Sequence, residues 1–303
     1  MTRAKARKSI KGKHSQRKRA KGRRLFGGLP WFAWLFIALA IAGLVVFVRV
    51  YFAGPSCPDN LGKPRAAIVD QLSSLGINED FLTGVTAELE DYGFEADLYQ
   101  GDEITVDFYR RLPTQCYKLI IFRAHSGLVV GDGGGLPDRT LLFTNEEYST
   151  GRYRLEQAWD RLGKGSAGAG YPMMFGITAE FITSRSMKGR FDDTIIIMMG
   201  CSGIFLTDMA RAFIEKGASV YIAWTGSVLL DYVDRATPYL MEQLCSQNST
   251  IREAVDTTMD VIGPDPTYKA WLKYYPALSG DKTVAELLQM AFDGEDETGA
   301  EIE

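Results

Sequence analysis

The sequence predicts an α/β domain with a mostly parallel central sheet, preceded by one transmembrane helix. Apolar runs of strand length alternate with segments of helical periodicity, and several of those runs are apolar on both faces. Strands of that kind are typical of a parallel sheet covered by helices on both sides. Ahead of the domain, no residue from Leu25 to Val48 is charged. A helix of that length, at about 1.5 Å per residue, crosses a hydrocarbon core roughly 30 Å thick.

The charge distribution predicts how the anchor is oriented. Residues 1–24 hold 12 of the 34 basic residues and no acid, so the chain from Leu25 onward carries 22 basic residues against 38 acidic ones. Basic residues beside a span stay in the cytoplasm, which places the N-terminus there and the remainder outside. This asymmetry excludes a plain cytosolic enzyme. A cleaved signal peptide is the rival interpretation, but the apolar stretch is too long and no A-x-A site follows.

The chain therefore divides into five predicted segments. They are a basic cytoplasmic tail (1–24), the single-pass transmembrane helix with its flanks (25–53), a Pro/Gly-rich linker (54–64), the α/β domain (65–290) and an acidic disordered tail (291–303). The basic tail has no aromatic residue among its charges. We therefore interpret it as a topology signal and expect the lipid bilayer, with no specific nucleic-acid binding, as its partner.

Hydrophobic periodicity predicts the elements of the α/β domain in order. Strands are expected at 66–72, 94–100, 117–127, 192–203 and 219–225, and helices at 79–92, 105–112, 206–216, 232–247 and 250–261. The stretch 128–190 is irregular, with possible strands at 141–143 and 175–181 and a helix near 155–161.

The four cysteines do not form a disulfide framework, since four in about 250 residues are too few. Cys57 and Cys116 each precede a predicted strand and are able to pair if those strands are neighbours. The sequon at Asn248 fits an external domain.

His125 and Cys201 occupy equivalent places at the ends of two strongly apolar runs. His125 is the only histidine of the domain and follows KLIIFRA, while Cys201 follows TIIIMMG. Functional groups gather at the carboxyl ends of parallel strands, so imidazole and thiol meet if these strands are neighbours. A nearby imidazole can take the thiol proton, and the following helix near Leu206 favours negative charge. The amides of Ser126 and Cys201 are the candidate oxyanion donors.

These two motifs resemble the caspase-like cysteine peptidases, which include caspases, clostripain, gingipain, legumain, separase and CHAT-type domains. Their hallmark is an apolar strand ending in His-Gly, followed after a spacer by an apolar strand ending in Ala-Cys or Gly-Cys. KLIIFRAHSG and DTIIIMMGCSG reproduce that order, and LTDMARAFIEKGASVYIAWTGSV is similar to the CHAT-type run after the nucleophile. The resemblance, nearest to the CHAT, clostripain and gingipain group, covers about residues 65–262. Ser126 replaces the usual glycine after the histidine.

The resemblance implies a three-layer caspase-like fold and a cysteine endopeptidase that acts on a peptide or protein substrate. His125 would be the base, Cys201 the nucleophile, and the intermediate a thioester, with no cofactor. The alternative is a non-catalytic, membrane-tethered binding or scaffold domain with the same fold. A non-peptidase thiol transferase is a third hypothesis.

In the resembled group, the strand after the nucleophile lines the pocket for the residue preceding the scissile bond. That region contains Trp224 as a candidate wall and Thr225 and Ser227 as candidate hydrogen-bonding groups. Asp231, ahead of Asp234, is the candidate acid that would select Arg or Lys in this acidic domain.

Arg123 shares the face of His125 on a strand. An arginine in a strand of an acidic domain is expected to form an internal ion pair rather than to bind substrate.

Other classes of site find no support in the sequence. No G-x-S-x-G motif occurs, which argues against a serine hydrolase with a nucleophile elbow. One histidine and scattered cysteines give no credible zinc set, so no metal is expected. The glycine-rich loop at 131–135 lacks the lysine and the strand-to-helix context of a phosphate-binding loop.

Overall fold

The computed structural model describes residues 33–43, 57, 62–130, 135–168 and 170–289. The chain divides into two compact units, Met1–Tyr51 and Phe52–Glu303. In the first unit, residues 33–43 are helical (α1). The rest of the predicted span lies outside the described residues, as do the basic and acidic tails. Among the described residues, no helix is both long and apolar enough to cross a bilayer. The anchor and its orientation therefore stay predictions.

The second unit contains a six-stranded sheet and a four-stranded sheet. Its strands are β1 (Arg65–Asp70), β2 (Glu95–Gln100), β3 (Tyr117–Arg123), β4 (Ser126–Val129), β5 (Arg139–Glu147), β6 (Leu162–Gly165), β7 (Met174–Ile177), β8 (Thr194–Met198), β9 (Ala218–Trp224) and β10 (Leu272–Tyr275). Its helices are α2 (Glu79–Asp91), α3 (Val106–Arg111), α4 (Arg154–Ala158), α5 (Ala179–Thr183), α6 (Asp208–Glu215), α7 (Leu230–Leu244), α8 (Ile251–Val261) and α9 (Val284–Leu288).

The larger sheet is mostly parallel, as the sequence predicts. Its strand order is β10-β9-β8-β3-β1-β2, and only β10 runs antiparallel to its neighbour. Strands β1, β3, β8 and β9 are buried on both faces, which is why their sequences are apolar without alternation. The α/β class is thereby confirmed.

Two hydrophobic cores lie on opposite faces of this sheet, so the unit has three layers. Alternate residues of each central strand enter one core or the other; in β3, Leu119 and Ile121 join the first, and Ile120 and Phe122 the second. The first core packs against α2, α7, α8 and α9, and the second against α3, α5 and α6.

The smaller sheet was not predicted as a unit. It is antiparallel, with strand order β4-β5-β7-β6. The apolar run expected as one strand at 117–127 is split at Ala124 and His125, so that β3 belongs to the large sheet and β4 to the small one. Leu142, Phe175 and Ile177 bury one face of the small sheet in the second core.

A disulfide joins Cys57 and Cys116, whose Cα atoms lie 5.5 Å apart. Cys116 immediately precedes β3, and β3 pairs with β1, which follows Cys57 in the chain. The sequence left this pairing open, conditional on the two strands being neighbours; the strands are neighbours and the disulfide is present. Cys201 and Cys245 are free thiols.

Candidate active site

Strands β3 and β8 are parallel neighbours, so the two apolar runs end at the same edge of the large sheet. Leu119 pairs with Ile195 and Phe122 with Met198. Just beyond β8, the Met199 N–H donates to the Phe122 carbonyl at 2.9 Å. The condition on which the sequence argument depended is therefore met.

His125 and Cys201 line one cleft of about 450 Å³. Both residues are half-buried. The volume lies within the range of roughly 300–1,000 Å³ that is usual for small-molecule sites. The other described residues along the cleft come from the small sheet and the loops next to it: Ser126, Gly127, Leu128, Val129, Val130, Leu141, Phe143, Lys164, Gly165, Ser166 and Ala167.

Main-chain hydrogen bonds hold His125 on both sides. Its N–H donates to Gln71 Oε1 at 2.8 Å, and its carbonyl accepts from the Phe143 N–H at 3.0 Å. The Phe143 ring lies edge-on to the imidazole, with 6.0 Å between ring centroids. Nε2 of His125 is buried and has no hydrogen-bond partner within the described part of the chain. Burial lowers the pKa of His125 from its ordinary value of 6.5, so the neutral imidazole is the favoured form at neutral pH.

The thiol of Cys201 contacts the main chain of Val228. The Val228 N–H donates to Sγ across 3.4 Å, and Sγ lies 3.6 Å from the Val228 carbonyl as a donor. Among the residues that the structure describes, no hydrogen bond joins Sγ to His125. The cleft thus brings the two groups together without a direct bond.

A glycine permits the close approach of the turns that carry His125 and Cys201. A Cβ on Gly200 would lie 2.4 Å from both the Ala124 carbonyl oxygen and Ser126 Oγ. Ser126 Oγ donates to the Cys201 carbonyl at 2.6 Å, which ties the turns directly. No acceptor in the described chain takes the Cys201 N–H, which leaves that amide available for an oxyanion.

Helix α6 begins at Asp208, two residues later than the sequence suggests. The Asp208 carboxylate accepts from the N–H and the hydroxyl of Thr140, at 2.6 and 2.7 Å. This acid therefore links the start of α6 to the small sheet.

The residues expected to form the substrate pocket do not line the cleft. Trp224 is 2% exposed and packs edge-on against Tyr232 in the first core. The Thr225 N–H donates to the Trp271 carbonyl, and the Trp271 N–H donates to the Thr225 hydroxyl oxygen, each at 2.9 Å. Ser227 and Asp231 are exposed. Their role in substrate binding stays a prediction.

Arg123 forms the internal ion pair that the sequence suggests. Its guanidinium donates to Asp70 at 2.7 Å and to both carboxylate oxygens of Asp234 at 2.8 Å, and all three side chains are buried. Asn78 Nδ2 also donates to Asp234 at 2.8 Å. Asp234 is therefore committed to the interior, where it joins the end of β3 to α7.

Sequence reasoning missed Gln71, Phe143 and Val228. Gln71 is a buried polar residue directly after an apolar strand, which is a signal that a sequence search can use. The other two contact the candidate dyad through main-chain atoms and ring packing that no motif marks.

Within the described chain, no group of three or more His, Cys, Asp or Glu residues is placed to hold a metal ion.

No protein-family model and no curated protein matches the chain. Among solved structures, it is similar to the crystal structure of the Arg-specific cysteine proteinase gingipain R, with 10% sequence identity and a TM-score of 0.43. The match covers 79% of this chain and 49% of that one, so the chain spans about half the length of gingipain R. A similarity of this extent does not place the chain in a family.

Proposed function

We propose that the chain is a membrane-anchored, caspase-like cysteine endopeptidase with His125 as base and Cys201 as nucleophile. The observation that carries the proposal is the placement of both side chains at the carboxyl ends of adjacent parallel strands, in one cleft. Groups that end neighbouring parallel strands are positioned by the rigid part of the fold, as catalysis requires.

The arrangement supports acyl transfer through a thioester. In the proposed mechanism the Cys201 side chain rotates away from Val228, and the imidazole takes the thiol proton. The thiolate then attacks the peptide carbonyl carbon. The Cys201 and Ser126 amides stabilise the negative charge that develops on the carbonyl oxygen. The imidazolium returns its proton to the leaving amine as the C–N bond breaks. Water, deprotonated by the same imidazole, hydrolyses the thioester and regenerates the thiol.

The disulfide supports the proposed location of this domain outside the cytoplasm. Disulfides persist in oxidising compartments and are rare where thiol reductants are abundant. Cys57 and Cys116 are bonded, which agrees with the orientation that the basic N-terminal tail predicts.

A non-catalytic scaffold domain is the second candidate, favoured by one specific observation. Both polar contacts that the described part of the chain makes with the Cys201 thiol come from Val228 rather than from His125. A thiol held permanently in that position would not react.

Thiol labelling of the full-length protein in detergent separates the two candidates. Burial raises the pKa of the Cys245 thiol to about 12, so Cys245 is an internal control that reacts slowly. We expect Cys201 to react with iodoacetamide at neutral pH faster than free cysteine, and His125→Ala to remove the advantage. A peptide-library digest with Cys201→Ala as control then reports hydrolysis. If Cys201 reacts no faster than free cysteine and His125→Ala does not change its rate, the peptidase function is rejected and the scaffold function remains.

A further inference from the structure

The cleft beside His125 lies on one face of the small sheet. Residues directly opposite each other in an antiparallel pair project to the same face. Gly127 is opposite Leu141, and Phe143 is opposite Gly176. Because Leu142, between Leu141 and Phe143, enters the second core, this face is the one directed away from that core.

On this face, two apolar side chains lie among glycines. A Cβ on Gly176 would lie 2.3 Å from the Leu141 side chain, and one on Gly165 would lie 2.4 Å from the Phe143 ring. Leu141 and Phe143 therefore lie flat over the strands β7 and β6, where any larger residue would displace them. Leu141 is 2% and Phe143 7% exposed, so together they make a low, closely packed apolar floor next to the imidazole, with little of their own surface open.

Gly127 keeps the β4 side of that floor open. A Cβ there would lie 3.8 Å from the Phe143 ring, an ordinary contact distance. A side chain at this position is therefore sterically possible but would stand in the cleft between His125 and Val129. The absence of a side chain is what leaves room for a ligand.

The described lining of the cleft contains no Asp or Glu. The two acids considered for cation recognition lie elsewhere, since Asp234 is paired with Arg123 and Asp231 is exposed outside the lining. Lys164, though part of the lining, is opposite Phe175, so its side chain projects to the core-facing side, where Nζ lies 5.6 Å from the centre of the Tyr148 ring. A cationic substrate side chain would lose its hydration here without gaining a carboxylate from the described lining.

We propose that this cleft is a subsite for an apolar substrate side chain adjacent to the scissile bond, and that Gly127 determines its size. The proposal rests on the peptidase function and names its substrate class. Val129, Leu141 and Phe143 are the apolar side chains on the cleft-facing side of the sheet, within the same cleft as Cys201. A Leu or Phe side chain of the substrate buries more apolar area against such a surface than an Ala side chain does. We therefore expect kcat/KM to be about tenfold or more higher for Leu or Phe substrates than for Ala substrates.

The subsite is tested on the full-length protein in detergent, with peptide substrates that differ only in the residue preceding the scissile bond. We expect kcat/KM to be at least tenfold higher for Phe and Leu peptides than for Ala, Lys or Asp peptides. Gly127→Val should lower the ratio of Phe to Ala peptides at least tenfold. Gly127→Ala, whose Cβ makes only an ordinary contact, should lower the Phe-to-Ala ratio less. It tests the subsite independently if Gly127→Val does not fold. Preference for Lys or Arg peptides, or an unchanged ratio in both variants, would overturn the subsite.

Covalent labelling distinguishes failure of the subsite from failure of the peptidase function. Chloromethyl ketones that carry Phe or Lys are compared for the rate at which they modify Cys201 on the same protein. Faster labelling by the Phe reagent, reduced by Gly127→Val, supports the subsite even if no peptide is hydrolysed, in which case the peptidase function fails alone. Peptide hydrolysis with equal labelling by both reagents would reject the subsite and retain the function.

Discussion

The main-chain N–H of His125 donates a hydrogen bond to the side-chain oxygen of Gln71 at 2.8 Å. Gln71 is itself held by Asn145, since Gln71 Nε2 donates to Asn145 Oδ1 at 2.5 Å and Asn145 Nδ2 donates to the Gln71 carbonyl at 3.0 Å. The end of β1, the small sheet and the loop that carries His125 are therefore joined by one amide pair, of which Gln71 is buried and Asn145 partly buried. This pair positions the main chain of His125.

Replacing Gln71 should impair the candidate dyad without touching it. Gln71→Met removes the acceptor of the His125 N–H, and each buried group left unpaired costs about 1–3 kcal/mol. We expect the rate of Cys201 alkylation or peptide hydrolysis to fall about tenfold to a hundredfold, as small misplacements of reacting groups do.

Gln71→Glu is the matched control for that variant. It keeps an acceptor for the His125 N–H and adds a negative charge beside the imidazole, which favours the protonated form. The acid limb of the pH profile should therefore move to higher pH in Gln71→Glu, while Gln71→Met mainly loses rate. Unchanged rates and profiles in both variants would remove Gln71 from the positioning of His125.

The pH dependence of the site follows from the burial of His125. Burial lowers the pKa of this imidazole below 6.5, so the base form persists to lower pH than in an exposed histidine. Activity should be complete at neutral pH and fall with a midpoint below 6.5. The same group contributes stability that is complete above pH 6.5, and this contribution is lost as the pH falls below that value, because there the unfolded chain binds the proton more readily.

The pH profile of Cys201 alkylation or of kcat/KM measures that midpoint. His125→Gln should abolish the acid limb, whereas His14→Gln, a change to the only other histidine, should leave it in place. A midpoint well above 6.5 would contradict the assignment.

The predictable part of the fold is the part that is buried on both sides. The central residues of strands β3 and β8 are apolar because helices or the small sheet cover both faces, and the parallel pairing of the strands then places His125 and Cys201 at one edge. The small sheet was predicted only in fragments, because β6 and β7 are four residues long and contain Gly163, Gly165 and Gly176, which weaken any strand signal.

The supporting contacts of the site were beyond prediction for a different reason. His125 meets Gln71 across 54 residues and Cys201 meets Val228 across 27. Such contacts join loops whose relative position is fixed only when the whole sheet has assembled. For Trp224 the sequence signal itself is ambiguous, because a large apolar ring is equally compatible with a pocket wall and with the core. The structure places Trp224 in the core.

Gly200→Ala tests the close approach of the two site turns. Its Cβ would lie 2.4 Å from the Ala124 carbonyl oxygen and Ser126 Oγ, so the turns must separate. Overpacking of this kind costs about 1–3 kcal/mol, and we expect a matching fall in the urea midpoint together with slower Cys201 alkylation. Gly84→Ala, in α2 with its nearest neighbour 3.8 Å away, is the control and should not destabilise the protein. Equal midpoints for the two variants would contradict the model of touching turns.

Arg123 is expected to be essential for stability. Arg123→Met leaves Asp70 and Asp234 buried without a cation, and breaking such a buried pair costs about 3–5 kcal/mol. Urea denaturation should show this loss, and adding Asp70→Asn and Asp234→Asn should restore part of it. Arg252→Met, which breaks an exposed pair with Asp281, is the control and should change the midpoint little. A loss no larger than that of Arg252→Met would show that the buried network contributes little.

The disulfide predicts the number of reactive thiols in the protein as it is made in the cell. Cys57 and Cys116 are bonded, while Cys201 and Cys245 are free. Membranes that are alkylated under denaturing, non-reducing conditions should therefore yield two maleimide adducts per chain, and four after reduction. Loss of the bond should also lower the free energy of unfolding by about 4 kcal/mol in the chain-entropy model, because a closed loop of about 60 residues restricts the unfolded chain. Cys57→Ser with Cys116→Ser should reproduce that loss in urea and yield two adducts with or without reductant. Four adducts from unreduced membranes would mean that the domain faces a reducing compartment and that the proposed orientation is wrong.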